Sequence, residues 1–566
     1  MKKLIALLLC LVMTVSLFAA CDSQQTGLQS NDGTQQTEPP ATVKKEEYPD
    51  DLTISIGLPL AANVEDYDTN SYTLWLEEVT GFNLEFVTFQ SATADYRAQL
   101  SAMMATGDEL PDILYNINLT AAAVEEYGST GYFIDLAPYY SDPDLGAEIQ
   151  TRLNSIKESD EATYKLVMDE VTSENGGMYA YPRVEYSMID TMSYQAYINQ
   201  DWLTKLNLKM PTDPESLYDV LVAFRDGDPN GNGKKDEKPL IGEARVIKWI
   251  MNMFLYYNDE FYYNVDENNQ LYLWATTEEY REGLIYLRKL MDEGLMFDTV
   301  FSMANKDIKA LVCSAEDEPQ TVGIFVGHPS SVLLPGSEKV YSYVAMPYWG
   351  NAARKKQAVQ ARVFITKDCE YPTAAWEVLM AMTTKEGAYR QRYGEKGIDW
   401  VDADPNTKSF LDWDADIKVI NEVWGTQNNQ IWAVIMGTVL EASENERTQV
   451  SNDTDEWLKY KLEMMKDCYD EFTKAEKENN PPEEQIIRFL HVPQEVSDAT
   501  KNEWSATTTL IKQSLSDFIC GTGTYNNPSS DAVWNAYVAA IEATGYQTYL
   551  EHRQMLYEDQ YPERVK

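Results

Sequence analysis

Strand-like and helix-like segments alternate in the first part of the folded body, and this order constrains the fold more than any other feature. The strand-like segments are residues 52–56, 82–86 and 111–115, and the helix-like segments between them are residues 72–80 and 96–105. The first helix is indicated by the spacing of Leu74, Trp75 and Val79. Gly81 and Gly107 follow the two helices and can end them. This order predicts βαβ units and a parallel sheet.

Helical patterns dominate the rest of the chain. Thr277 can cap a helix whose Leu284 and Leu287 share one face, and residues 372–382 and 529–544 have similar patterns. About 515 residues follow the N-terminal segments, which is more than one ordinary hydrophobic core contains. We therefore expect an α/β fold with at least two lobes and added helices.

Residues 1–21 have the pattern of a secretion signal. Residues 4–18 form an apolar stretch after a positive start, and this stretch is shorter than the ~20 residues that span a bilayer. Ala19 and Ala20 before Cys21 resemble a bacterial lipobox, in which the chain is cut before a cysteine that carries the lipids. An ordinary signal cleaved near Ala20 is the alternative. We expect lipidation of Cys21, which would then be the only membrane attachment.

Residues 22–50 are polar, contain Pro39 and Pro40, and have almost no large apolar side chains. Such a segment cannot bury enough surface to offset its chain entropy. We expect a disordered tether between the lipid and the folded body.

The charge and the cysteines exclude several classes of partner and site. The formal net charge is −45, which argues against nucleic acid and anionic lipid surfaces as partners. Four cysteines lie in the body without CxxC spacing, so a zinc site is not expected. These four, which we expect to be free thiols, are Cys313, Cys369, Cys468 and Cys520.

Several stretches together resemble the family 1 extracellular solute-binding proteins, in particular their long lipoprotein branch in Gram-positive bacteria. The matching stretches are residues 107–113 (GDELPDI), 131–136 (GYFIDL), 197–211 (YINQDWLTKLNLKMP), 364–397 and 534–557. The resemblance implies a two-lobed, type II-like periplasmic-binding-protein fold and no enzyme activity. It implies that a carbohydrate, in the form of an oligosaccharide, is held between the lobes and delivered to the membrane permease of an ABC importer.

The resemblance also sets expectations for organisation and location. We expect residues 51–165 with about 330–390 in lobe 1, and residues 166–329 with about 391–566 in lobe 2. The protein would be a monomer, lipid-anchored on the extracellular face of the cell membrane.

Residues 226–237, with the sequence DGDPNGNGKKDE, form the sharpest local motif. Hard cations such as Ca²⁺ take oxygen ligands, and glycines permit the tight wrapping that places several oxygens around one ion. Starting at Asp226, the run satisfies the EF-hand pattern. A second register resembles the alginate-binding relatives and is preferred. Its ligands are Asp228, Asn230, Asn232, the Lys234 carbonyl, Asp236 and Glu237. We expect structural calcium, with a metal-free polar turn as the alternative.

Sugars are held by aromatic rings stacked on their apolar faces and by planar polar groups at the hydroxyl rim. In α/β sheets, ligands bind beyond the carboxyl ends of the strands. The candidates for ligand contact are Tyr115, Asn116, Arg183, Trp249, Trp349 and Trp400. Trp202 is expected to be structural.

Three other functions stay open from the residues alone. A peptide or another small molecule would suit the same kind of importer, and a surface glycan-docking protein would use the same anchor. A glycosidase needs only two suitably spaced carboxylates, but the chain lacks H-E-x-x-H, G-x-S-x-G and Walker A motifs.

Overall fold

A computed structural model describes residues 43, 46–185, 187–315, 317–333, 338–423, 427–432, 444–450 and 456–565. The predicted signal peptide, Cys21 and most of the tether lie outside the described residues. The strands are β1 (Thr53–Pro59), β2 (Asn83–Phe89), β3 (Ile113–Leu114), β4 (Tyr181–Glu185), β5 (Ala196–Asn199), β6 (Lys238–Gly242), β7 (Tyr263–Val265), β8 (Leu271–Leu273), β9 (Val322–Val326), β10 (Tyr343–Ala345), β11 (Ala358–Ile365), β12 (Trp400–Asp402) and β13 (Ile417–Val419).

The α-helices are α1 (Ser71–Thr80), α2 (Thr93–Thr106), α3 (Ala121–Ser129), α4 (Ala137–Ser141), α5 (Ala147–Ser159), α6 (Glu161–Val171), α7 (Gln200–Lys205), α8 (Pro214–Asp226), α9 (Arg245–Met251), α10 (Glu278–Asp292), α11 (Asn305–Val312), α12 (Pro329–Val332), α13 (Pro372–Thr383), α14 (Lys385–Tyr393), α15 (Glu456–Asn479), α16 (Gln494–Cys520), α17 (Asp531–Glu542) and α18 (Tyr546–Gln560). None of these helices is both long enough and apolar enough to cross a membrane.

Local signals set the ends of the predicted helices. The Asn70 side chain accepts from the N–H of Tyr72 at the start of α1, and Gly81 ends the helix in the left-handed conformation (φ 77°). Gly107 ends α2 in the same way, and Thr277 caps α10 as predicted. The buried face of α1 differs from the expected one, because Leu74 and Val79 are 52% and 51% exposed.

The first sheet has the strand order β2-β1-β3-β11-β4. β1 pairs in parallel with β2 and β3, which confirms the predicted βαβ units. β11 and β4 then join as antiparallel strands. Helices cover both faces: residues of α1, α5, α6 and α13 form one core, and residues of α2 and α3 contribute to the other.

The second sheet has the strand order β10-β5-β9-β6. β6 and β9 are parallel, while β5 is antiparallel to both β9 and β10. Helices near the end of the chain also contribute to its core, with Phe472 of α15, Phe518 of α16 and Tyr537 of α17. The two separate sheets and cores give the two-lobed α/β architecture expected from the sequence.

The chain passes from one core to the other at points other than those expected. Leu166 and Val167 of α6 pack in the core of the first sheet, although the sequence assigned them to the second lobe. Val332 and Tyr343 pack in the core of the second sheet, although the sequence assigned them to the first. Because β4 and α6 both contact β11, which lies far along the chain, local patterns do not reveal which sheet they join.

Candidate functional site

The carboxyl ends of β1, β2 and β3 lie at one edge of the first sheet, because these strands are parallel. Tyr115 and Asn116 follow β3 directly at this edge. Arg362 of β11 is beside them, since its carbonyl accepts from the N–H of Ile117 at 3.0 Å. We call this region, defined by residues 115–118 and Arg362, the cleft edge of the first lobe.

Tyr115 forms the buried floor of the cleft edge. It is 1% exposed, and its ring meets the ring of Trp432 edge-on at 5.4 Å between centroids. Its hydroxyl donates to Oε1 of Gln391 at 3.3 Å. Burial holds the pKa of its phenol well above the usual value, although the charge of Arg183 opposes this effect. In this conformation Tyr115 packs within the first lobe and supports its neighbours.

Asn116 and Arg183 present polar groups near this floor. Asn116 is half-buried and adopts a left-handed backbone conformation (φ 58°). Its Oδ1 accepts from Nη1 of Arg362 at 3.4 Å. Arg183 is half-buried on β4, and its Nη1 donates to Oε1 of Gln360 at 3.4 Å. The fold therefore brings three predicted site residues, Tyr115, Asn116 and Arg183, to one part of the first lobe.

Trp249 and Trp349 lie together in the second lobe, with ring centroids 6.4 Å apart. Trp249 on α9 is 2% exposed and belongs to the core. Trp349 is half-buried, and its buried Nε1 has no hydrogen-bond partner among the described residues. Of the two, Trp349 is the one with both a partly accessible ring and an unused donor.

Trp400 has a packing role in this conformation. It is 1% exposed and lies in a small core with Tyr389 and Ile417 beside the β12–β13 pair. Its Nε1 donates to the carbonyl of Gly394 at 3.0 Å. Trp202 is 3% exposed and packs edge-on against Phe224, in agreement with the structural role expected for it.

Three segments that connect the lobes are tied to one another by buried hydrogen bonds. The N–H of Ser187, just after β4, donates to Oε1 of Gln357, just before β11, at 2.9 Å. Oε1 of Glu446 accepts from the Ser187 hydroxyl at 3.0 Å and from the N–H of Ile189 at 2.8 Å. We call Ser187, Ile189, Gln357 and Glu446 the hinge tie.

A cavity of about 360 Å³ lies beside the hinge tie. Thr163 and Leu166 of α6 line it from the first lobe, and Tyr256 and Glu260 line it from the second. Burial raises the pKa of Glu260 and lowers that of Lys355. No sequence pattern indicates this cavity, because its lining comes from six segments that are distant along the chain.

Arg362 is a further residue of this region that the sequence predictions did not include. It is a single charged residue within the apolar strand β11, and that break in the pattern is the signal that could have identified it. Its Nε is buried without a hydrogen-bond partner among the residues that the structure describes.

The predicted calcium loop folds into a compact turn after α8. Asp228, Gly231 and Gly233 have positive φ values of 47°, 74° and 70°. The amides of Asn230 and Asn232 both donate to Oδ1 of Asp236, at 3.0 and 3.1 Å, so these three side chains meet at one point. Lys205 of α7 donates to the Pro229 carbonyl at 2.6 Å and fastens the loop to the lobe.

Two carboxylates distinguish the two possible registers of the loop. Asp226 is held by Arg225, which donates to both of its oxygens at 2.9 and 2.7 Å. Asp228 instead accepts from the N–H groups of Asn232 and Gly233, both at 3.1 Å. The Asp228 carboxylate therefore belongs to the turn, whereas the Asp226 carboxylate is paired with Arg225 outside it.

Glu237 completes the group of acidic side chains. It is 8% exposed, and its buried Oε1 has no hydrogen-bond partner in the described part of the chain. Burial and the nearby carboxylates of Asp236 and Asp228 raise its pKa. No three Asp, Glu, His or Cys side chains among the described residues are placed to hold a metal ion by themselves. A cation here would also need the amide oxygens and the Lys234 carbonyl.

Comparisons with known proteins agree with this fold. No protein-family model matches the chain. The fructooligosaccharide ABC transporter substrate-binding protein FusA of Streptococcus pneumoniae is 23% identical over 520 residues, covering 86% of each chain. An extracellular solute-binding protein of Bifidobacterium longum subsp. infantis superposes with a TM-score of 0.66 at 19% identity, covering 90% of this chain and 98% of that one.

An EF-hand mutant of FusA in complex with fructo-nystose superposes with a TM-score of 0.64 at 20% identity, covering 90% of this chain and 99% of that one. The chain is thus similar in sequence to an ABC transporter substrate-binding protein and shares the fold of extracellular solute-binding proteins.

Proposed function

We propose that this protein captures an oligosaccharide between its two lobes and delivers it to the membrane permease of an ABC importer. The observation that carries the proposal is the pair of separate α/β lobes joined at the hinge tie, with polar groups at the carboxyl edge of the first sheet. The similarity to FusA over most of both chains supports a carbohydrate as the cargo.

Groups on both lobes suit a sugar. Asn116 and Arg183 offer planar polar groups for hydroxyls, and Trp349 offers a ring with an unused N–H. Tyr115 is buried and supports the adjacent Asn116. Trp249 and Trp400 would contribute through packing.

A binding role is favoured over catalysis because the relatives named above are substrate-binding proteins. A peptide or another small molecule remains the alternative cargo for the same importer. A surface glycan-docking protein without a transporter would use the same cleft.

The lobes would close about the hinge tie. We take the first lobe to end at Glu185 and resume at β11, with the second lobe between these points and again from α15 onward. Ligand contacts made by both lobes would favour the closed state, because a ligand shifts an equilibrium only through its differential affinity.

Calcium fits the loop of residues 226–237. Asp228, Asn230, Asn232, Asp236, Glu237 and the Lys234 carbonyl would hold it. A bound cation would neutralise three neighbouring carboxylates and stiffen the turn after α8, which is a structural role. The FusA EF-hand mutant supports such a site in a related protein.

The mature protein would be a monomer anchored by lipid on Cys21 at the extracellular face of the cell membrane. The polar segment 22–50 would give the body reach from that surface.

Calorimetric titration of residues 46–566 against a panel of neutral and acidic oligosaccharides tests the proposal. We expect one glycan class to bind and Trp349→Phe to weaken it. Trp504→Phe, a matched change in a half-buried tryptophan stacked on Tyr549, should leave binding unchanged.

Small-angle scattering should show compaction with the glycan that binds. The proposal fails if no glycan binds, if binding produces no compaction, or if any glycan is converted to product.

A further inference from the structure

The cleft edge of the first lobe contains two arginines without a carboxylate partner. Neither Arg97 nor Arg362 forms an ion pair within the described part of the chain. Arg97 of α2 donates through Nε to the Asn118 carbonyl, while Arg362 donates to Asn116. The two guanidinium groups therefore flank the same turn, residues 116–118.

This arrangement is unusual for a chain with 91 acidic and 46 basic residues. Three other half-buried arginines each pair with a glutamate: Arg152 with Glu148, Arg354 with Glu476, and Arg390 with Glu386. Among the residues that the structure describes, no carboxylate pairs with Arg97 or Arg362, so their two positive charges have no acidic partner there.

The position favours a ligand as the missing anion. The turn follows the carboxyl end of β3, and α2 begins after the carboxyl end of β2, which is where α/β sheets bind ligands. Nε of Arg362 is buried with no partner among the described residues, so one strong donor there is unused.

The electrostatic environment is consistent with this assignment. Burial and the neighbouring charge of Arg97 lower the pKa of Arg362, with Tyr96 opposing them. A guanidinium nevertheless stays charged at neutral pH. A bound anion would offset the electrostatic repulsion between these two neighbouring cations.

We infer that Arg97 and Arg362 form a subsite for a carboxylate, and that the oligosaccharide captured by this protein is acidic, carrying uronic acid units. The inference rests on the proposed carbohydrate function and names its substrate class. A planar guanidinium matches a carboxylate through two parallel hydrogen bonds, a geometry that neutral hydroxyls do not need.

The test compares a galacturonate tetramer with neutral fructo- and gluco-oligosaccharides of similar length by calorimetry, with a sulfated disaccharide as a further arm. We expect the uronate to bind and the neutral sugars to bind at least about tenfold more weakly. Arg362→Gln and Arg97→Gln should each weaken uronate binding by about 10- to 100-fold. Arg362→Lys should recover part of the loss, because it keeps the charge but not the fork.

Arg152→Gln is the matched control, since it removes a half-buried arginine of the same lobe that already has a partner. It should leave uronate binding unchanged. Melting curves identify any variant that fails to fold, and the other of the two variants then decides between the outcomes.

The outcomes separate the two proposals. Tight binding of a neutral glycan, unaffected by either variant, overturns the acidic subsite and leaves the proposed function standing. Preference for the sulfated sugar overturns the uronate assignment. Uronate binding that neither variant weakens overturns the subsite itself, and failure of every glycan to bind overturns both proposals.

Discussion

Replacing Asp228 by Asn should abolish the calcium response of this protein, while replacing Asp226 by Asn should preserve it. The two residues lie in the same loop and the substitutions are identical. The Asp228 carboxylate accepts hydrogen bonds from two backbone N–H groups of the turn, both at 3.1 Å. The Asp226 carboxylate instead accepts two hydrogen bonds from the Arg225 guanidinium. The pair of variants therefore tests which register of the loop binds the cation.

The magnitude follows from mass action. A cation that binds only the folded state at 100 times its dissociation constant stabilises that state by about 2.7 kcal/mol. Three acidic side chains share the turn, and Glu237 is buried with an unused oxygen, so removing one charge weakens both attraction and coordination. Each tenfold loss of affinity removes about 1.4 kcal/mol of the gain.

The assay is thermal unfolding of the chelator-treated protein across a calcium series, with magnesium as a parallel series. The melting temperature of the parent and of Asp226→Asn should rise with the logarithm of the calcium concentration, and that of Asp228→Asn should stay flat. Identical melting curves with calcium and with chelator would refute the reasoning. A response lost in Asp226→Asn but kept in Asp228→Asn would assign the EF-hand register instead.

Three further expectations concern the hinge tie, the first core and the tyrosines. Glu446→Ala leaves the Ser187 and Ile189 donors unpaired and should cost about 1–3 kcal/mol for each, seen as a lower melting temperature that Glu446→Gln partly restores. Trp376→Ala empties a fully buried site and should cost about 3–5 kcal/mol in chemical unfolding without changing ligand affinity. Burial raises the pKa of Tyr115 well above that of an unfolded phenol, about 10, so its stabilising contribution is complete below pH 10 and is lost as pH rises further. Absorbance at alkaline pH should therefore show that the buried phenols ionise only as the protein unfolds, and complete ionisation of the tyrosines before unfolding would contradict it.

Features that depend on neighbouring residues were predictable from the sequence. The start of α1 depends on the Asn70 side chain, and its end on the left-handed conformation of Gly81. The loop of residues 226–237 is equally local, because its oxygens lie within twelve consecutive residues and its glycines permit the turn. Hydrogen bonds and backbone preferences over such short distances are fixed by the residues themselves, so motif and spacing predict them.

The burial of individual side chains was decided only by the tertiary structure. Leu74 and Val79 match a helical spacing but remain about half exposed, whereas Trp249 and Trp400 are almost fully buried. A residue type indicates how much surface it can bury, but the neighbours that cover it come from distant segments.

The assignment of segments to lobes and the composition of the cleft edge also needed the tertiary structure. α6 packs on β11 in the core of the first sheet, and Arg362 reaches Asn116 because β11 pairs with β3 across about 250 residues of chain. Pairing at that separation depends on the free energy of the whole sheet and not on any local pattern. Local motifs were enough to predict a sugar-binding protein. Only the folded chain brings Arg97 and Arg362 to the turn where the ligand is proposed to bind, because the segments involved are far apart in the sequence.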